Sequence, residues 1–157
     1  MMREIRKMNK SDIDGVMKLL YQVNQVHADA RPDLFKSGGI KYTREDLLEK
    51  VDREDEIIFV LTEEDDVKGY IFGQFEETIE SNSVYGKKTF YIDDLCVDEN
   101  MRRMHVATDL YNYVRDYAKD KGFDRITLHV WEGNPGAKKF YEDMGMKPMY
   151  IAMEDSL

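Results

Sequence analysis

Cysteine is nearly absent from this chain. Cys96 is the only one among 157 residues, so no disulfide can form within the molecule, which fits a reducing compartment. A nucleophilic thiol needs a lowered pKa and a partner base, whereas Cys96 lies in an apolar run, where a buried structural thiol is the expected role. Histidine is scarce too. His27, His105 and His129 are scattered and form no metal-ligand spacing with one cysteine, so no metal is expected. Basic residues are in deficit: 23 Lys and Arg against 32 Asp and Glu give a net charge of −9. A nucleic-acid binder normally shows a basic face. No window is long and apolar enough to span a bilayer, and the N-terminal residues lack the apolar core of a signal peptide. The expectation is a soluble, cytoplasmic protein without nucleic-acid or membrane partners.

What the chain does contain is a series of alternating strand and helix patterns without internal repeats or a linker, on a length that suits one domain, 1–157. Residues 3–8 read as a short strand. Ser11 with Asp14 approximates a capping box, and Ile13, Val16, Met17, Leu20 and Val23 follow at helical spacing, predicting a helix over 12–26. Residues 27–42 read as a loop broken by Pro32 and Gly38–Gly39. Thr43 with Asp46 repeats the capping pattern ahead of a short helix. Residues 57–62 and 67–75 read as a hairpin closed by an acidic turn. After a polar loop come a strand at 89–97, an amphipathic helix at 106–121 ended by Gly122, and a strand at 125–131. Asn134 and Pro135 open another helix that Gly145 closes, and Met149–Met153 reads as a last strand. The result is a mixed α/β sheet.

Residues 89–108, TFYIDDLCVDENMRRMHVAT, carry the densest chemistry. A strand breaks at an acidic patch, two arginines follow, and a helix begins. Free N–H groups and the helix dipole make such a turn an anion site. A second block runs from Asn134 through Ala137, Phe140 and Tyr141 to Gly145 and Met146. Taken alone, Arg102–Arg103 is equally a solvated basic turn, and the second block equally an ordinary packed helix.

Together, in this order and separation, the two blocks resemble the GNAT superfamily of acetyl-coenzyme A-dependent N-acetyltransferases. The resemblance implies a mixed, mainly antiparallel sheet with helices on both faces, splayed between the strands at 89–97 and 125–131. It implies a coenzyme A site formed by Leu95, Cys96 and Val97 along the strand, by Arg102, Arg103, Met104, His105, Val106, Ala107 and Thr108 at the phosphate turn, and by Asn134, Ala137, Phe140 and Tyr141. Arg102 and Ala107 match the family's turn, but His105 stands where the family has glycine. Its ring either swings aside from an ordinary helical backbone, weakens binding, or donates to a phosphate.

The same resemblance implies direct attack of a primary amine on the acetyl thioester, with Tyr141 as general acid. Asp93 matches a carboxylate position in the family and is the candidate base, directly or through water. Asp94, on the other face of a regular strand, is the alternative, and a bulge would change which one faces the cleft. His27, Arg31 and Phe35 fall in a region that forms one wall of the family's acceptor site, and Asp93 also belongs to that site. His129 reads as a satisfied sheet histidine. The acidic balance favours a small cationic amine as acceptor; a peptide or protein amine is the other class, and the oligomeric state is left open, with a homodimer as one option. A coenzyme A-sensing module without catalysis is the competing function.

Overall fold

The computed structural model describes residues 2–157. Five strands, β1 (Arg3–Lys7), β2 (Glu56–Glu63), β3 (Asp66–Thr78), β4 (Lys87–Val97) and β5 (Arg125–Leu128), form one sheet in chain order. β1 to β4 pair antiparallel, and β5 joins β4 in parallel. Helices α1 (Ile13–Ala30) and α2 (Arg44–Val51) cover one face, around Leu19, Leu20, Leu47, Tyr70 and Phe72. Helices α3 (Val106–Asp120) and α4 (Pro135–Asp143) cover the other, around Ile71, Phe90, Leu110 and Val114. Among the described residues, no helix is long and apolar enough to cross a membrane.

Local chemistry sets most boundaries. The capping box before α1 is Asn9 with Asp12, two residues earlier than the Ser11–Asp14 reading. Asp12 does double work there: it is 2% exposed, and Arg6 donates to both of its oxygens at 2.6 and 3.0 Å. α1 also runs on to Ala30, because the apolar stripe continues through buried Ala28. His27 is therefore helical rather than in a loop. The Thr43–Asp46 box opens α2 as read. Glu64 and Asp65 both have positive φ, the signature of a two-residue turn that matches strand twist.

β4 carries an irregularity beside the candidate site. Phe72 faces Asp94, but Gly73 faces Ile92, so Asp93 is an extra, unpaired residue in the ladder. This β-bulge breaks the alternation of faces. Phe90 and Ile92 join the core under α3, whereas Cys96, three ladder pairs further on, joins the core under α1. Gly73 beside the bulge has no room for a side chain: a Cβ would sit 2.1 Å from the Phe90 ring.

Two strand readings are corrected. β5 ends at Leu128, not at 131, and residues 149–153 form no strand. Met149, Tyr150, Ile151 and Met153 are 61–88% exposed. An apolar, β-prone run becomes a strand only beside a ladder partner, and this segment has none among the described residues.

Candidate active site

The last ladder pair between β4 and β5 is Ile92 with Leu128. Beyond it β4 runs on to Val97 paired with β3 but not with β5, so the sheet opens into a fork on that side, as the splay reading expected. The Asp98 N–H bonds to the Lys68 carbonyl on β3. By the two-residue repeat of a strand, Cys96 also directs its backbone to β3, while Leu95 and Val97 direct theirs into the fork. Unpaired strand groups of this kind accept an extended ligand as an added strand. Cys96 itself turns away. Its thiol lies against the Leu19 carbonyl at 3.5 Å, and burial pushes it up to about 12, which makes it a structural thiol.

The bulge settles the question of faces: Asp93 and Asp94 lie on the same side of the sheet, not on opposite sides. They differ in surroundings. Asp93 is held by Lys41, whose Nζ stands 3.0 Å from Oδ1, and by the Tyr42 hydroxyl on Oδ2. Asp94 accepts from the Tyr70 hydroxyl at 2.8 Å. Burial raises the Asp94 carboxyl to about 6, against the pull of Tyr70, Lys41 and the Leu95 N–H in the opposite direction. A buried carboxylate tuned towards neutrality is characteristic of a working acid or base.

Tyr141 supplies the facing wall. Asn134 caps α4 by accepting from the Ala137 N–H at 3.2 Å, and Pro135 sits at the first helical position. That start sets the phase of the helix, so Phe140 and Tyr141 pack on the α3 side of the sheet, with Tyr141 beside Tyr111. Burial raises the Tyr141 phenol, and the charges of Asp94 and Tyr111 raise it further. A hydroxyl so placed stays protonated at neutral pH and is available as a donor. The charge of Asp94 reaches Tyr141 from the opposite face of the sheet.

The phosphate turn lies at the start of α3. Met104 and His105 are exposed, as are Arg102 and Arg103, while Val106 is buried and anchors the helix. No side chain caps this end, and the first helical N–H with a carbonyl partner is that of Asp109, to His105 at 2.9 Å. The N–H groups of Val106, Ala107 and Thr108 are thus available to an anion. Arg3 pins the turn to the sheet edge by donating to the Met104 carbonyl and to Asp109. His105 does not stay in ordinary helical space. Its φ of 62° and ψ of 19° are left-handed, the conformation a glycine takes without cost. The turn therefore keeps a glycine-type path with a histidine in it. His105→Gly is expected to stabilise the fold by about 1 kcal/mol in chemical denaturation, with acetyl-coenzyme A affinity retained or tightened in calorimetry. A marked loss of affinity would instead identify the imidazole as a phosphate ligand.

The three residues expected at the acceptor wall come together. The His27 and Phe35 rings lie 5.0 Å apart, Phe35 meets Trp131 edge-on at 5.5 Å, and Arg31 stacks over Trp131 while pairing with Asp33 and Glu154. Burial, then the charge of Lys41, lowers the His27 imidazole. His129 sits just past β5, bonded to the Tyr91 hydroxyl at 3.1 Å and the Tyr150 hydroxyl at 3.0 Å. Lys41, Tyr42, Tyr70, Tyr91 and Trp131 escaped the sequence reading. Each joins the site through contacts distant in sequence, and none lies in a recognisable motif.

No curated protein sequence matches the chain. In structure it resembles the BH1408 protein of Bacillus halodurans (F44R mutant), at 29% identity and a TM-score of 0.93, covering 98% of this chain and 99% of that one. It also resembles glucosamine-6-phosphate N-acetyltransferase from Arabidopsis thaliana, at 24% identity and a TM-score of 0.72 with 99% of each chain covered. An aminoglycoside acetyltransferase, meta-AAC0020, from an uncultured soil metagenomic sample shares the fold at 18% identity and a TM-score of 0.70, with 99% of this chain and 96% of that one covered. The model of the acetyltransferase (GNAT) family matches residues 21–146, a span that holds the fork, both carboxylates, the phosphate turn and Tyr141. With fork, turn and second block all inside the matched span, the chain belongs to the GNAT acetyltransferase family.

Proposed function

We propose that the protein is an N-acetyltransferase that moves the acetyl group of acetyl-coenzyme A to a primary amine by direct attack. The observation that carries this reading is the pair Asp94 and Tyr141 across the fork: a carboxyl raised to about 6 on one face and a protonated phenol on the other. The residues present fit the cosubstrate. The uncapped start of α3 with Arg102 and Arg103 suits its pyrophosphate, and the free backbone edge at Leu95 and Val97 suits its pantetheine arm. Bound there, acetyl-coenzyme A supplies an electrophilic thioester carbonyl.

The acceptor enters as an ammonium and must lose a proton before it can attack. Asp93 holds a cationic amine in place, the service it already renders to Lys41. Asp94 takes the proton, directly or through a water. Tyr141 gives its hydroxyl proton to the departing sulfur. His27, Phe35 and Trp131 form an apolar wall for the body of the acceptor, which favours a small organic cation. Aminoglycosides and glucosamine 6-phosphate, the amines named for two structural relatives, mark the range of amines to test.

The decisive experiment follows free coenzyme A thiol over a panel of polyamines, amino sugars, amino acids and peptide amines, after a thermal-shift measurement with acetyl-coenzyme A. Stabilisation by the cosubstrate and thiol release with at least one amine are expected. Stabilisation without turnover on any amine would replace catalysis by sensing, and no stabilisation would remove both.

A further inference from the structure

One primary amine already stands at the proposed acceptor position. Lys41 belongs to the connection between α1 and α2, yet its side chain crosses to β4. Its Nζ lies 3.0 Å from the Asp93 Oδ1 and 3.5 Å from the Asp93 carbonyl. Asp93 is the bulged residue and the first on β4 beyond the last pair with β5, so this contact lies at the base of the fork. The Tyr42 ring runs beside the lysine, with Nζ 5.5 Å from its centre, and the Tyr42 hydroxyl takes the second oxygen of Asp93. The lysine side chain is 44% exposed and the aspartate 12%. The carboxylate is therefore nearly enclosed, and the amine that reaches it comes from the solvent side, as an external acceptor would.

The chemical identity of the two amines is the point. A lysine ammonium and a primary-amine acceptor differ only in what lies behind the nitrogen. A site that binds one on Asp93, beside a proton acceptor at Asp94 and a donor at Tyr141, applies the same forces to the other. Lys50 offers a contrast within the same region. It stands over the same Tyr42 ring, 4.3 Å from its centre, but its ion pair is with Glu56 at 2.8 Å rather than with Asp93.

We propose that Lys41 is itself an acetyl acceptor, modified by the protein's own chemistry when no external amine displaces it. The inference rests on the acetyltransferase reading above. Two protons leave Nζ: Asp94 takes one and passes it to water, and the other replaces the hydroxyl proton that Tyr141 gives to sulfur. The nitrogen–carbon bond forms, the carbon–sulfur bond breaks, and coenzyme A leaves as a thiol. The product amide carries no charge, so the Asp93 carboxylate loses its internal partner. An external ammonium then no longer competes with Lys41 for that carboxylate. Acceptor amine and Lys41 are mutually exclusive occupants, so an accepted amine protects Lys41.

The test uses the full chain with acetyl-coenzyme A alone, followed by digestion and mass spectrometry over a time course. Lys139, a surface lysine 78% exposed in its side chain, reports background chemical acetylation. Lys41 is expected to gain one acetyl group at least about 10-fold faster than Lys139, a modest share of what positioned acid–base catalysis supplies. That preference is expected to vanish in Tyr141→Phe and in Asp93→Asn, and to fall when an accepted amine is added. Lys41 left unmodified, modified no faster than Lys139, or still preferred in both variants overturns the inference. Thiol release on the amine panel with an unmodified Lys41 sinks this inference and leaves the transferase reading standing. An absence of both thiol release and Lys41 modification sinks the two together.

Discussion

Tyr141→Phe is expected to lower turnover by about 10²–10⁴-fold while leaving the fold and acetyl-coenzyme A affinity in place. The ring remains, so its packing against Phe140 and Tyr111 is preserved. Only the hydroxyl is lost, and among the described residues no hydrogen bond within the protein depends on it. Its surroundings explain its value. Burial and the neighbouring Asp94 charge hold the phenol protonated throughout the working pH range. A thiolate leaving group next to a neutral phenol is protonated as it departs; next to phenylalanine it must wait for water. The measurement is steady-state thiol release beside calorimetric cofactor binding. Unchanged turnover in a folded variant would remove Tyr141 from the mechanism.

Asp94→Asn is expected to have the second large effect, and its two readouts move in opposite directions. Turnover should fall by about 10²-fold or more, as expected on losing a general base. The folded protein should become more stable at neutral pH. The sign follows from the shift. The Asp94 carboxyl moves from its ordinary 3.8 to about 6 on folding, chiefly through burial. Its contribution is fully present when the group is protonated, below about pH 4, and is lost as pH rises through about 6. At pH 7 the folded state therefore carries a cost of up to about 3 kcal/mol. An asparagine is neutral and still accepts from Tyr70, so it escapes that cost. Denaturation at pH 5 and pH 8 separates the cases: the stabilisation should be larger at pH 8. The pH–rate profile supplies the functional half. Wild-type kcat/KM should rise as pH passes about 6, and that limb should be absent in the variant. A variant as active as wild type, with the limb intact, would return the role of base to Asp93 or to a water.

The same pair explains why stability and activity pull apart in this site. A carboxylate that lowers stability at neutral pH does little for the fold, and under the proposed mechanism its worth lies in a proton affinity matched to the reaction. Asp93 stands in different surroundings, paired with Lys41 and bonded by Tyr42.

Much was determined by the sequence alone because it depends on neighbours along the chain. Thr43 with Asp46, Asn134 with Pro135, the stripe from Val106 to Ala118 and the glycines after α3 and α4 are local signals, and they place α2, α3 and α4 closely. The two spaced blocks likewise identified the family, since a phosphate turn and a capped helix are each built from contiguous residues. Tertiary structure decided whatever depends on a partner elsewhere. Residues 149–153 have the composition of a strand and lack one beside them. The order of β3, β4 and the bulge between them put Asp93 and Asp94 on one face, where alternation along the strand predicts two. Lys41 and Tyr42 reach Asp93 across 52 and 51 positions of chain, a contact without any local trace. The His105 backbone also belongs here. Sequence shows only that glycine is missing, whereas the packing of Val106 and the hold of Arg3 on the turn keep the left-handed path despite the side chain. Periodicity and caps act over one or two turns, whereas the proton chemistry of this fork comes from charges and burial that only folding brings together.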